Sequence, residues 1–132
     1  MAIPMRLKGD DMAKGKAVTI WHNPRCGKSR ETLALLRDKG IEPVVREYLK
    51  EPPSKKEIET LLDQLGVEPR MLVRSGEAEF KASGKKAATL TRKDTVELIA
   101  RHPILLQRPV VVSDGKAMIG RPPEAVLAIL PK

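Results

Sequence analysis

The first third of the chain places one amphipathic segment between two short apolar runs. Apolar and β-branched residues dominate positions 17–21 and 43–48, and positions 28–39 between them have helical spacing that Gly40 ends. A helix between two strands of this length predicts two parallel strands joined by a right-handed crossover. We therefore expect a strand–helix–strand unit at the start of the fold.

The middle of the chain carries the pattern of two further helices. Ser54 and Glu57 have the spacing of a capping box, and Gly66 supplies a stop. Between them, apolar residues recur at the i, i+3, i+4, i+7 positions of an amphipathic helix: Ile58, Leu61, Leu62 and Leu65. Another helix is predicted from Thr91 to about Arg101, ended by His102-Pro103. The sequence between the two predicts a short helix at 69–73 and then a mobile Ser-, Gly- and Lys-rich stretch to Ala88.

The last part of the chain has the pattern of a hairpin followed by a helix. Val110–Val112 and residues 116–120 flank the turn Ser113-Asp114-Gly115, and Pro122-Pro123-Glu124 opens a helix through Leu130. The predicted order is βαβ, a helical insertion at about 54–103, and ββα. This order predicts an α/β fold, a four-stranded mixed sheet with helices on its faces, in a thioredoxin-like arrangement.

Length and composition restrict the class of protein. A chain of 132 residues fits one domain, here 17–132, preceded by a polar segment, 1–16, that we expect to be disordered. The sequence has no run of eighteen apolar residues and no secretory signal. It has one cysteine, which cannot form an internal disulfide. We expect a cytoplasmic monomer that does not associate with a membrane.

The formal net charge of +8 and the pI near 9.8 raise the question of nucleic-acid binding. Only Trp21, Tyr48 and Phe80 could stack on bases, and the basic residues are scattered along the chain. We therefore expect no nucleic-acid partner. An anionic small substrate, or a solvated basic surface without a partner, fits the charge better.

Cys26 stands where a predicted strand turns into a predicted helix. Free N–H groups and the helix dipole at such a position stabilise a thiolate, and Arg25, Lys28 and Arg30 add positive charge. The alternative is a buried cysteine that only fills space. The setting favours a nucleophile.

Ser29 stands where a Cys-x-x-Cys motif would have its second cysteine. An adduct on Cys26 would then need a thiol from outside the chain to resolve it. The Ser29 hydroxyl could bond the thiolate or cap local backbone, and His22 could lower the thiol pKa or orient the loop. We expect no metal site, because one cysteine and two distant histidines do not make a ligand set.

Several separated motifs resemble one family. The segment from Trp21 to Arg30 is similar to the active-site loop of the ArsC-like family, the glutaredoxin-linked arsenate reductases of thioredoxin-like fold. The resemblance covers about residues 17–131 and is closest to a shorter branch of the family. It continues in four further stretches: Tyr48–Pro53, His102–Leu105, Gln107–Val112 and Gly120–Glu124.

The resemblance implies that Cys26 attacks the arsenic of arsenate while Arg74, Arg108 and Arg121 hold the oxyanion. It also implies glutathione as a co-substrate, glutaredoxin as the partner that supplies the final electrons, and no bound cofactor. Supporting roles fall to a group of residues around these four: His22, Asn23, Ser29, Arg30 and Pro109. Pro109 resembles the cis-proline of thioredoxin-like folds.

Two other functions remain open from the sequence. One is a glutathione-dependent thiol reductase that acts on protein mixed disulfides. The other is a regulator resembling the Spx proteins, which share this fold and bind RNA polymerase. Their redox switch uses a Cys-x-x-Cys pair, which Ser29 removes here, so the sequence favours the arsenate reductase.

Overall fold

A four-stranded mixed sheet organises the computed structural model, which describes residues 17–131. Its strands are β1 (Val18–His22), β2 (Val44–Glu47), β3 (Val110–Ser113) and β4 (Lys116–Ile119). They lie in the order β2-β1-β3-β4. The predicted disordered segment, 1–16, lies outside the described residues.

Helices connect and cover the strands. The α-helices are α1 (Gly27–Asp38), α2 (Lys55–Leu65), α3 (Ala78–Ala82) and α4 (Arg92–Arg101). Short 3₁₀ helices form at Pro69–Leu72, Ala87–Thr89, Pro103–Leu105 and Pro123–Ile129. No helix in the described part of the chain is long and apolar enough to cross a membrane.

The chain divides into two compact units. Of the described residues, the first contains 17–46 together with 108–131, and the second is Glu47–Gln107. The sequence predicts a single domain, 17–132, with a helical insertion at about 54–103. These boundaries stay a prediction, because they describe the order of elements along the chain.

The register of the sheet brings the loop after β1 next to the start of β3 and the end of β4. β1 pairs antiparallel with β3, with Trp21 opposite Val110, and β3 pairs antiparallel with β4, with Val110 opposite Ile119. Asp114 and Gly115 both have positive φ, 51° and 78°, as a two-residue hairpin turn of this twist requires. The hairpin predicted from the sequence is confirmed.

The core of the first unit lies between the sheet and α1. Its buried residues come from β1, α1, β3 and the last 3₁₀ helix: Val18, Ile20, Leu36, Val111 and Val126. Each such side chain stabilises the fold by roughly 1.5–3 kcal/mol on burial. This packing holds α1 against the sheet.

The second unit is a helical cluster in which α2 packs against α4. Both predicted starts are confirmed, because Ser54 with Glu57 and Thr91 with Asp94 form complete capping boxes. Gly66 ends α2 at a φ of 64°. His102 ends α4.

Two predictions for secondary structure need correction. The Ser-, Gly- and Lys-rich stretch predicted to be mobile up to Ala88 contains α3, which buries Phe80 at 5% exposure. The last helix is 3₁₀ rather than α. Its buried residues, Pro123 and Val126, are three positions apart, which matches three residues per turn.

Candidate active site

Cys26 is the N-cap residue of α1, at the position that the sequence predicted. The loop before it is held by Asn23, whose backbone oxygen accepts a bond from the Cys26 N–H at 2.9 Å. The Asn23 Oδ1 atom accepts from the Arg25 N–H at 3.0 Å. Because Cys26 has extended backbone angles, φ −95° and ψ 123°, the free N–H groups of the first helical turn are left for its sulfur.

The thiol of Cys26 is partly exposed, and its pKa is lowered. Burial raises the pKa of this thiol. Hydrogen bonds from the Ser29 N–H, the Arg108 side chain and the Lys28 N–H lower it by more, and the charge of Arg108 adds to them. The helix N-terminus therefore stabilises the thiolate as predicted, but the cation that does so is Arg108.

Arg121 contacts the same sulfur. Its Nη2 atom lies 3.6 Å from the Cys26 Sγ, and its Nε donates to the backbone oxygen of Arg108 at 2.8 Å. Arg108 is 8% exposed, whereas Arg121 is exposed. Two guanidinium groups from opposite sides of the β3–β4 hairpin therefore meet at one thiol.

His22, Asn23 and Ser29 form a buried hydrogen-bonded group under the loop. The Ser29 hydroxyl lies 2.7 Å from His22 Nδ1 and accepts from the Asn23 N–H at 3.0 Å. All three residues are at most 5% exposed. These bonds place the Ser29 hydroxyl on local backbone and on His22, and the roles of both residues in the reaction stay predictions.

Gly120 allows the hairpin to approach α1 closely. A Cβ at this position would lie 2.8 Å from Thr32 Oγ1 and 2.9 Å from Pro109 Cγ. The Gly120 N–H donates to the Pro109 oxygen at 2.8 Å, and the Arg108–Pro109 peptide bond is cis. Sequence analysis did not single out Gly120, although it lies within a family-like motif.

Arg30 has a local partner. Its Nη1 donates to the Pro24 oxygen at 2.9 Å, and its backbone N–H donates to the Cys26 oxygen at 3.0 Å. The side chain therefore closes the turn that carries the cysteine.

Arg74 belongs to the second unit, where its guanidinium is shared between two partners. Its Nε donates to Glu77 Oε2 and its Nη1 to Gln107 Oε1, both at 3.1 Å. Neither partner of Arg74 was predicted from the sequence. The i, i+3 spacing of Arg74 and Glu77 was the available signal for the first. No pattern of neighbouring residues could have indicated the bond to Gln107.

No group of three or more His, Cys, Asp or Glu side chains suited to a metal ion occurs among residues 17–131. The site is instead built from one thiol, backbone N–H groups and two arginines. These groups suit a nucleophile that meets a small anion.

The sheet order, the flanking helices and the strand-to-helix turn at Cys26 define a thioredoxin-like fold. The sequence model of the ArsC family matches residues 21–129. The chain belongs to the ArsC family.

Relatives and solved structures are similar to this chain in sequence and in fold. A protein named arsenate reductase from Haemophilus influenzae is 41% identical over 86% of this chain and 99% of its own length. An Escherichia coli K12 relative, named uncharacterized protein YfgD, is 44% identical over 87% of this chain and 98% of its own. The solved structure titled arsenate reductase from Vibrio cholerae is 46% identical, with a TM-score of 0.80 over 87% of this chain and 98% of its own.

Proposed function

We propose that this protein reduces arsenate to arsenite, with the thiolate of Cys26 as the nucleophile. The observation that carries the proposal is the convergence of Arg108, Arg121 and the first-turn N–H groups on one partly exposed thiol. Relatives that carry the name arsenate reductase support the choice of substrate.

The oxyanion would bind beside the sulfur. Arsenate is a tetrahedral anion, and guanidinium groups bind its oxygens in pairs. Arg108 and Arg121 supply two guanidinium groups, and the helix N-terminus supplies N–H donors. Arg74 completes the proposed set on the family resemblance, and in that role its guanidinium would be oriented by Glu77 and Gln107.

The chemistry balances with two external thiols. The Cys26 thiolate forms a sulfur–arsenic bond and one arsenate oxygen leaves as water; glutathione then bonds the arsenic, and a second water leaves. A glutaredoxin thiolate attacks the glutathione sulfur and forms a mixed disulfide with it, while the glutathione–arsenic bond breaks and leaves its electron pair on arsenic, which is reduced from arsenic(V) to arsenic(III). Hydrolysis then releases arsenite and the Cys26 thiol.

External thiols are required because the chain has no second cysteine. Ser29, at the position of a resolving thiol, is buried and bonded to His22. We accordingly propose glutathione and glutaredoxin as donors, and a cytoplasmic setting in which thiols stay reduced. We also propose that the protein acts as a monomer.

A coupled assay tests this function. Arsenate, glutathione, glutaredoxin and glutathione reductase are combined, and NADPH consumption is followed with and without the protein. We expect arsenate-dependent turnover that needs glutathione. Turnover with thioredoxin as the only reductant would contradict the glutaredoxin-linked scheme.

A second arm of the assay replaces arsenate with a protein–glutathione mixed disulfide. An accessible thiol of lowered pKa also suits thiol–disulfide exchange, so this is the specific competing activity. Turnover of the mixed disulfide without turnover of arsenate would favour the thiol reductase. Co-purification with RNA polymerase and no turnover in either arm would favour the regulator.

A further inference from the structure

A cavity of about 270 Å³ lies beside Arg74 in the second unit. Its lining consists of one cation, one carboxylate, two neutral polar side chains and two small or apolar residues: Arg74, Glu77, Ser75, Gln107, Gly76 and Val73. A water molecule takes up roughly 30 Å³, so the space is large enough for an ion of five heavy atoms. The cavity can therefore hold a tetrahedral oxyanion.

Backbone pairing fixes the two segments that carry Arg74 and Gln107. An isolated antiparallel bridge joins residues 72–74 to residues 105–107. Across it, the Arg74 N–H donates to the Leu105 oxygen at 2.7 Å, and the side chain of Arg74 donates to Gln107 Oε1 at 3.1 Å. The fold thus sets the position of the guanidinium without a ligand.

The ion pair of Arg74 and Glu77 lines this cavity. Arg74 Nε donates to Glu77 Oε2 at 3.1 Å, and both side chains are 27% exposed. A guanidinium has five N–H groups, and the bonds to Glu77 and Gln107 use two of them, so three remain unused among the described residues. The cavity therefore combines unused donors with a neighbouring carboxylate.

The carboxylate of Glu77 discriminates between kinds of anion. An ionised carboxylate accepts several hydrogen bonds and donates none. An anion that has no O–H group meets a like charge beside Arg74 and gains no bond from it, which weakens its binding. An anion that keeps an O–H group donates a charge-assisted hydrogen bond to the same carboxylate.

We propose that Glu77 selects tetrahedral oxyanions that keep an O–H group at neutral pH, by accepting a hydrogen bond from that group while Arg74 binds the charged oxygens. Arsenate and phosphate keep such a group at neutral pH, whereas sulfate has none. This inference deepens the proposed function and rests on it in one respect, because it takes Arg74 as part of the oxyanion site. Glu77 then determines specificity for the substrate.

The test measures anion binding to the full chain by titration calorimetry at neutral pH, without glutathione or glutaredoxin. Two pairs of anions are compared. Arsenate is compared with sulfate, and phosphate with monofluorophosphate, in which a fluorine replaces the hydroxyl group. We expect the wild type to bind the anion with the O–H group more tightly in both pairs.

Glu77→Gln keeps the length of the side chain and an oxygen that can accept from Arg74 Nε, but it removes the negative charge. The preference for the anion with the O–H group should fall about tenfold to a hundredfold, mainly because sulfate and monofluorophosphate bind more tightly. Glu68→Gln is the matched control. It removes the same charge from an exposed ion pair with Arg70 in the same unit, outside the cavity lining, and should keep the preference of the wild type.

Four results would overturn the inference. These are equal affinity of the wild type for both anions of each pair, an unchanged preference in Glu77→Gln, the same fall in Glu68→Gln, and no measurable binding of any of the four anions. The coupled assay separates the two proposals. Selective binding that depends on Glu77, without arsenate turnover, would reject only the proposed function, and arsenate turnover with a preference that Glu77→Gln leaves unchanged would reject only the role of Glu77.

Discussion

The Nη2 atom of Arg121 lies 3.6 Å from the Sγ atom of Cys26, a contact between residues 95 positions apart. The sheet register explains it. Continuing the β3–β4 pairing beyond Val110 and Ile119 sets Pro109 opposite Gly120 and Arg108 opposite Arg121, as their hydrogen bonds show. The β1–β3 pairing then brings this end of the hairpin to the loop after β1.

Replacing Cys26 with serine should abolish arsenate reduction with little effect on stability. The side chain is only partly buried and contributes little packing, so the free energy of unfolding should change by less than about 1 kcal/mol. Turnover and thermal unfolding are measured on the same preparation. Arsenate reduction that survives in Cys26→Ser would end the thiolate mechanism.

Arg108→Lys and Arg121→Lys should each lower kcat/KM for arsenate by about tenfold to a hundredfold. Lysine keeps the charge but loses the planar fork, and a charge-assisted hydrogen bond is worth about 1.5–3 kcal/mol. Arg101→Lys, an exposed residue in the last turn of α4, is the control. Equal kcat/KM values in all three variants and the wild type would rule out the two-arginine site.

The alkylation rate of Cys26 should reach half its maximum at a lower pH in the native protein than in urea. The native pKa is lowered, and only the thiolate reacts. Relative to Cys26→Ser, the stability contribution is full above the unfolded pKa and is lost as pH falls through the native pKa. Iodoacetamide kinetics across pH give both midpoints.

The same experiment on Arg108→Gln tests the cause of the lowered pKa. Arg108 contributes a hydrogen bond and a charge, so its loss should move the native midpoint upward. An unchanged midpoint would assign the effect to the backbone N–H groups alone.

Gly120→Ala should destabilise the fold by about 1–3 kcal/mol, because the new Cβ would overlap Thr32 Oγ1 and Pro109 Cγ. Gly76→Ala is a matched control, since a Cβ there meets nothing within 4 Å. It should change stability by no more than about 0.5 kcal/mol. Urea unfolding of both variants measures the difference, and equal stabilities would contradict the close approach.

Ser29→Ala should lower the free energy of unfolding by about 1–3 kcal/mol, because the buried His22 Nδ1 and the Asn23 N–H lose their hydrogen bonds to the hydroxyl. Ser75→Ala, at an exposed position, serves as the comparison and should be near neutral. Urea unfolding distinguishes them. A neutral Ser29→Ala would show that the hydroxyl does not hold the loop.

Structural features that depend only on residues close together in the chain could be predicted from the sequence. The two capping boxes, the stop at Gly66 and the position of Cys26 at the start of a helix depend on hydrogen bonds between residues a few positions apart. The type of the last helix was missed, because it follows the burial of Pro123 and Val126, which are three positions apart. Local propensity alone does not carry that information.

The hairpin is an intermediate case. Its two-residue turn at Asp114-Gly115 fixes which residues of β3 and β4 pair, and the continuation of that register sets Arg108 opposite Arg121. The sequence did not determine which strand the hairpin would join. The strand that the hairpin joins depends on burial of one face of β3 against α1. The same burial fixes the register, since a shift of one residue would turn every side chain of the strand to the other face.

The sequence by itself therefore determined that Cys26 stands at the start of a helix, and its resemblance to the family pointed to Arg108 and Arg121. Only the tertiary structure decided that Arg108 and Arg121 meet the sulfur of Cys26, that Ser29 bonds His22, and that Arg74 is shared between Glu77 and Gln107. These contacts join elements distant in the chain. They form because packing of the sheet and helices buries apolar surface, and side-chain identity alone does not specify that packing.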